Sequence, residues 1–137
     1  MKPVIQLERT GCGIASVATL AGISYPRAKA IAAALDIAAS DQRLWSETSL
    51  VRRLLRHCGV NVDARELPFQ SWQGLPDLAL LSIKWHLERG KPYWHWVVFT
   101  RQDGCACVLD SKRALKTHRR TDFGRIKPKW YIPVTRA

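Results

Sequence analysis

Acidic residues are scarce in this sequence: eleven Asp and Glu stand against 22 Lys and Arg, for a formal charge of +11. Long apolar runs are missing as well. The longest, around Ile31 to Leu35, is far too short to cross a bilayer, so no membrane span is expected. The opening residues MKPVIQLERTGCG lack the apolar core of an export signal, because Gln6, Glu8 and Arg9 interrupt it. That places the chain in the cytoplasm, unless a dedicated system exports it. A reducing compartment argues against two disulfides among Cys12, Cys58, Cys105 and Cys107 and favours free thiols. Nor do the four cysteines and four histidines show the spacing of a four-ligand zinc site. Cys105 and Cys107 form a C-x-C pair that reads as strand neighbours packed on one side. Neither a metal nor a cofactor is called for. No internal repeat or low-complexity segment is present.

What remains is a chain of 137 residues, 47% of them apolar, which suits one domain with one core over 1–137. The stretch QLERTGCGIASVATLAG, Gln6 to Gly22, carries the first chemistry. Gly11 and Gly13 flank Cys12 and allow a tight approach of backbone amides. Ile14 to Leu20 predicts a helix that Gly22 ends. Cys12 then sits at a helix N-terminus, where the dipole favours a thiolate. A small buried residue of a packed helix satisfies the same pattern, so this stretch alone leaves both readings open.

Ser24-Tyr25-Pro26 predicts a second helix start, with an alanine-rich helix following to about Leu35. Residues 37–43 read as a loop. A third cap lies in Ser46 to Ser49, and Leu50, Val51, Leu54 and Leu55 give helical periodicity up to a stop at Gly59. VNVDAREL alternates as a short strand, and 68–77 reads as a loop long enough to line a cleft. LALLSIKW, YWHWVVFT and CACVLD predict three strands, the first with a helix to Leu87 as its alternative and the last two joined by a Gln102-Asp103-Gly104 turn. WYIPV predicts an edge strand, where Pro133 is tolerated. Met1 to Arg9 is expected extended, with Val4, Ile5 and Leu7 against the core. Helices over about 11–59 followed by an antiparallel sheet over about 60–137 make an α+β domain.

His95 lies on the long aromatic strand, and Asp110 ends its hairpin partner. Paired strands about 4.8 Å apart let an imidazole and a carboxylate meet; the carboxylate then fixes the ring tautomer and stabilises its charged form. Cys12 is the candidate nucleophile, and Gln6 can donate an amide N–H to an oxyanion. His86 is the runner-up base, but no acid follows it suitably; His57 ends a helix, and His118 sits in a basic stretch. Trp94 and Trp96 face away from His95, so at least one is expected in the core.

The order Q-x5-C-G, then H-W-V-V, then V-L-D resembles the C39-type cysteine peptidases, papain-like enzymes that remove double-glycine leader peptides from bacteriocin precursors. The resemblance runs through QLERTGCGIASVATLAG, WHWVVF and CVLDS, most of the length of the chain. It implies a papain-like fold, with Cys12 as nucleophile, His95 as general base, Asp110 as the orienting acid and Gln6 as the oxyanion-hole glutamine. It also implies a peptide or protein as substrate. Three positions differ from the family's pattern: Gly11 stands where Asp is common, Trp94 where Gly is usual, and Ser111 where Pro tends to follow the acid.

Two other functions fit parts of the sequence. A peptidase-like fold without activity would serve as a peptide-binding module. Residues 111–137 hold nine basic residues and one acid, Asp122, which suits an acidic partner or nucleic acid. A solvated basic surface gives the same composition, and no stacking platform of aromatics accompanies the charge.

Overall fold

The computed structural model describes residues 1–135. Arg136, one of the basic residues counted above, lies outside them. Three helices come first: α1 (Cys12–Ala21), α2 (Tyr25–Ala34) and α3 (Ser49–His57), with a 3-10 turn at Gln42–Trp45 before the third. Their ends follow the local chemistry. Gly22 adopts the left-handed conformation (φ 71°) that closes α1. The Ser24 hydroxyl accepts from the Arg27 N–H and Pro26 occupies the first turn of α2. Gly59, also left-handed, follows α3.

Seven strands follow: β1 (Asn61–Val62), β2 (Leu67–Pro68), β3 (Leu78–Glu88), β4 (Lys91–Gln102), β5 (Cys105–Leu109), β6 (Arg119–Arg120) and β7 (Trp130–Thr135). They form an antiparallel sheet in the order β1-β7-β3-β4-β5-β6, with β2 also on β7. Asp103 and Gly104, both at positive φ, turn β4 into β5. The expected strand over 60–67 is reduced to two short pieces flanking an ion-paired turn at Asp63 and Arg65.

The C-terminal strand is not the edge strand that its proline suggests. β7 pairs with β3 on one side and with β1 and β2 on the other. Pro133 is accommodated because β1 covers 134 and 135, β2 covers 130 and 131, and the gap between them falls at Pro133. Its carbonyl still accepts from the Asp63 N–H. The missing donor thus costs no ladder bond.

The helices cover one face of the sheet. Ile14, Val17 and Ala18 of α1 and Leu54 and Leu55 of α3 pack there against Leu80, Trp96, Val98 and Ile132. Trp94 and Trp96 both enter this core, as strand alternation requires, and pack edge-on against Trp130. The Trp96 Nε1–H donates to the Leu44 carbonyl at 2.6 Å, tying the helical layer to β4. On the other face a smaller core gathers Ala79, Leu81, Val97 and Phe99 under Phe69, Trp72 and Phe123. The 68–77 loop therefore closes this second core. In the N-terminal segment Val4 leans on the helix-side core, but Ile5 and Leu7 are exposed, against expectation.

Candidate active site

The fold brings three distant segments together: the Gln6–Cys12 turn, the middle of β4, and the chain just past β5. Cys12 begins α1, and its N-cap is Gly11, which has no side chain to occupy the first-turn N–H groups. Gly13 is tightly enclosed, since a Cβ there would lie 3.2 Å from both the Leu44 carbonyl and Val51. Glycine lets the first turn sit this close to the 3-10 segment without displacing a neighbour. Cys12 is 6% exposed and interacts with the His95 ring.

His95 Nε2 meets Asp110 Oδ1 at 2.8 Å. Nδ1 is then the ring nitrogen left to face Cys12. Asp110 is fully buried and also accepts from the Lys112 N–H at 3.1 Å and from Arg120 Nη1 at 3.0 Å. Burial alone would depress the imidazole; the Asp110 bond and the neighbouring Cys12 outweigh it and lift His95 to about 9. Burial would likewise raise the Asp110 carboxyl, but His95, the Lys112 N–H and Arg120 hold it down at about 2.

Gln6 is buried beside this pair. Its side-chain carbonyl accepts from the Ser111 hydroxyl at 2.8 Å, and its backbone N–H donates to the Ser111 carbonyl at 3.1 Å. Its amide nitrogen donates to the Glu8 and Arg9 carbonyls, each at 3.0 Å. Both amide hydrogens are thus engaged with the turn that leads into Cys12.

The four sequence candidates therefore lie in one place, and three other side chains support them. Ser111 fastens Gln6. Arg120, counted in the sequence only as part of the basic stretch 111–137, bridges Asp110 and Asp122 and is only 15% exposed. Tyr25 places its hydroxyl where a side chain at position 11 would be: a Cβ on Gly11 would approach it to 2.3 Å. The tyrosine lies against Glu8, which pairs with Lys29. For Arg120 the available signal was an arginine pair ten residues after the acid; for Tyr25 there was none. His86 is exposed between the Lys84 carbonyl and Glu88. His57 is exposed at the end of α3 and His118 is bonded to the Lys112 carbonyl. Among the described residues no cluster of His, Cys, Asp and Glu suits a metal ion, and all four cysteines are free.

No family model matches the sequence, and no curated protein does. Among solved structures, the chain is similar to a double-glycine motif protease from an AMS/PCAT transporter, solved in complex with the leader peptide. The TM-score is 0.64 at 15% identity, over 100% of this chain and 93% of that one. The chain has the fold of that protease. This is the α+β, papain-like architecture implied by the resemblance in the sequence. At this identity the likeness establishes architecture, and the chemistry must be argued from the side chains.

Proposed function

We propose that the protein is a cysteine peptidase-like thiol hydrolase that cleaves a peptide bond with Cys12, His95, Asp110 and Gln6. The 2.8 Å bond from His95 to a buried Asp110, with Cys12 beside the same ring, carries this reading. The Cys12 proton passes to His95, whose raised value keeps the ring charged, and the sulfur attacks the substrate carbonyl carbon as the thiolate. The resulting oxyanion is met by the uncapped N–H groups at the start of α1 and by the Gln6 amide, which hands over one of its two carbonyl partners. The imidazolium returns its proton to the leaving amine, and a thioester forms. A water molecule, deprotonated by His95, then attacks the thioester; collapse releases the acid and restores the thiol. Asp110 stabilises the charged ring through each half-cycle. A peptide substrate is supported by the leader peptide bound in the similar protease.

Cys12 is only 6% exposed and both Gln6 amide hydrogens are engaged, which favours a second reading, an inactive peptide-binding module. One experiment separates the two. Iodoacetamide labelling near neutral pH, read peptide by peptide to distinguish Cys12 from the other cysteines, is compared between wild type and His95→Ala. Fast labelling that falls at least about tenfold in the variant supports the hydrolase. Slow labelling, equal in both, leaves the binding module.

A further inference from the structure

Five basic residues of the C-terminal half lie together on one part of the surface. They converge on a cleft of about 460 Å³ between β3 and the 120–129 segment, lined by Lys84, Arg120, Arg125, Lys127 and Lys129. Ile83, Trp85, Ile126 and Pro128 form its apolar walls. Lys112 adds a further charge beside Lys84.

Three observations make this a built site. First, its cations are largely uncompensated. Arg120 is shared by Asp110 and Asp122, but Lys84, Lys112, Arg125, Lys127 and Lys129 make no ion pair among the described residues. Second, Lys84 is placed by a β-bulge. Ile83 pairs with His95 and His86 with Tyr93, so Lys84 and Trp85 together oppose the single residue Trp94. Lys84 takes φ 53°, and of the non-glycine residues at positive φ it alone lies inside a strand. A bulge of this kind re-aims a side chain, here one residue away from the register of His95. Third, the cleft shares a residue with the candidate site's surroundings, because Arg120 lines it and binds Asp110. Burial and the adjacent Lys112 and Arg120 push the Lys84 ammonium below its ordinary value, which an arriving anion would relieve.

We infer that this cleft is a substrate subsite for an acidic peptide segment, whose Asp and Glu carboxylates pair with Lys84, Arg125 and Lys127 while its apolar side chains rest on Ile126 and Pro128. The inference rests on the peptidase reading only in taking the bound peptide to be the one cleaved. A peptide suits the cleft better than a polynucleotide. The one aromatic ring in its wall, Trp85, has Lys129 over it at 4.7 Å, and a single ring makes no platform for successive bases.

The test is fluorescence anisotropy on the full chain carrying Cys12→Ala, so that nothing is turned over. Three labelled probes are compared: a short Glu-rich peptide, the same peptide with Gln for Glu, and a thymidine oligonucleotide. The Glu peptide is expected to bind at least about tenfold more tightly than its Gln counterpart and to weaken as salt shortens the screening length to about 3 Å at 1 M. Lys84→Gln and Lys127→Gln, both at exposed lysines, should each weaken it by about 2- to 5-fold, the range of an exposed charge pair. Equal binding of the Glu and Gln peptides overturns the inference without any variant. So does tighter binding of the oligonucleotide, lost in the same lysine variants, which would assign the cleft to nucleic acid. Cleavage by wild type is measured separately. Charge-selective binding without cleavage would end the peptidase reading and keep the subsite; cleavage indifferent to acidic residues would do the reverse.

Discussion

Replacing Asp110 by Asn tests the site where its geometry is most constrained. The carboxylate is fully buried and accepts three hydrogen bonds: at Oδ1 from His95 (2.8 Å) and the Lys112 N–H (3.1 Å), and at Oδ2 from Arg120 (3.0 Å). A carboxamide has the same shape but only one acceptor oxygen. If that oxygen faces His95 and Lys112, the NH2 meets Arg120 donor to donor. If it faces Arg120, the NH2 meets Nε2, which must then be the unprotonated nitrogen, and the proton on Nδ1 leaves nothing to accept one from Cys12. Removing one partner of a buried charge pair costs about 3–5 kcal/mol. Arg120 retains Asp122 at 2.8 Å, so the lower end, about 3 kcal/mol, is expected. The assay is urea unfolding, with iodoacetamide labelling of Cys12 on the same samples. Labelling should fall at least about tenfold, since the ring no longer holds its charged form. A stability loss below about 1 kcal/mol, the size of an ordinary neutral hydrogen bond, together with unchanged labelling would refute the account of this pair.

Three further outcomes follow from the same coordinates. His95 stands at about 9 in the fold against an ordinary 6.5; being raised, its contribution is complete below 6.5 and is lost as pH rises through 9. Asp110, lowered from 3.8 to about 2, contributes above 3.8 and loses that as pH falls through 2. Unfolding free energies from urea titrations should therefore decline on the alkaline side by at most about 3 kcal/mol, a decline that His95→Gln should largely remove; identical pH profiles for the two proteins would contradict it. Gly11→Ala should destabilise by about 1–3 kcal/mol, the range of an overpacked site, because its Cβ would come within 2.3 Å of the Tyr25 hydroxyl. Adding Tyr25→Phe should recover part of that loss in thermal melts, and no recovery would mean that the cost lies elsewhere. Ser111→Ala removes a buried 2.8 Å bond to Gln6 and should cost about 1 kcal/mol; on the proposed mechanism it lowers kcat more than it raises KM, and unchanged turnover would remove Gln6 from the chemistry.

What could be read along the chain was what short-range physics decides. The Ser24 cap, the left-handed stop at Gly22 and the Asp103-Gly104 turn are each local events, and each occurs where the residues place it. The meeting of His95 and Asp110 was legible for the same reason, since a single hairpin joins them. β7 was not. A proline forbids one backbone donor, and whether that makes a strand an edge depends on where β1 and β2 stop, which no nearby residue encodes. The place of Arg120 was not legible because composition counts charge without its partners; two carboxylates claim it. Ile5 and Leu7 are as apolar as Val4, yet only Val4 reaches the helix-side core.

The departures from the peptidase pattern at Gly11 and Ser111 have a structural counterpart here. The turn before Cys12 must hold the sulfur against a ring carried by another layer, so something has to fix it from both sides. On one side the Tyr25 hydroxyl fills the space beside Gly11, and Glu8 and Lys29 back it. An acid at position 11 would meet that hydroxyl, so glycine and tyrosine go together. On the other side Ser111 reaches Gln6 with both its hydroxyl and its carbonyl. Proline has no hydroxyl and could supply only the second of these contacts. Gln6 in turn holds the Glu8 and Arg9 carbonyls. The segment that carries Asp110 and the turn that leads into Cys12 are thereby joined across 105 residues of sequence. On the proposed mechanism, a rigid connection of that kind is what a nucleophile and base on different elements require, because neither the helix nor the hairpin alone sets the distance between them.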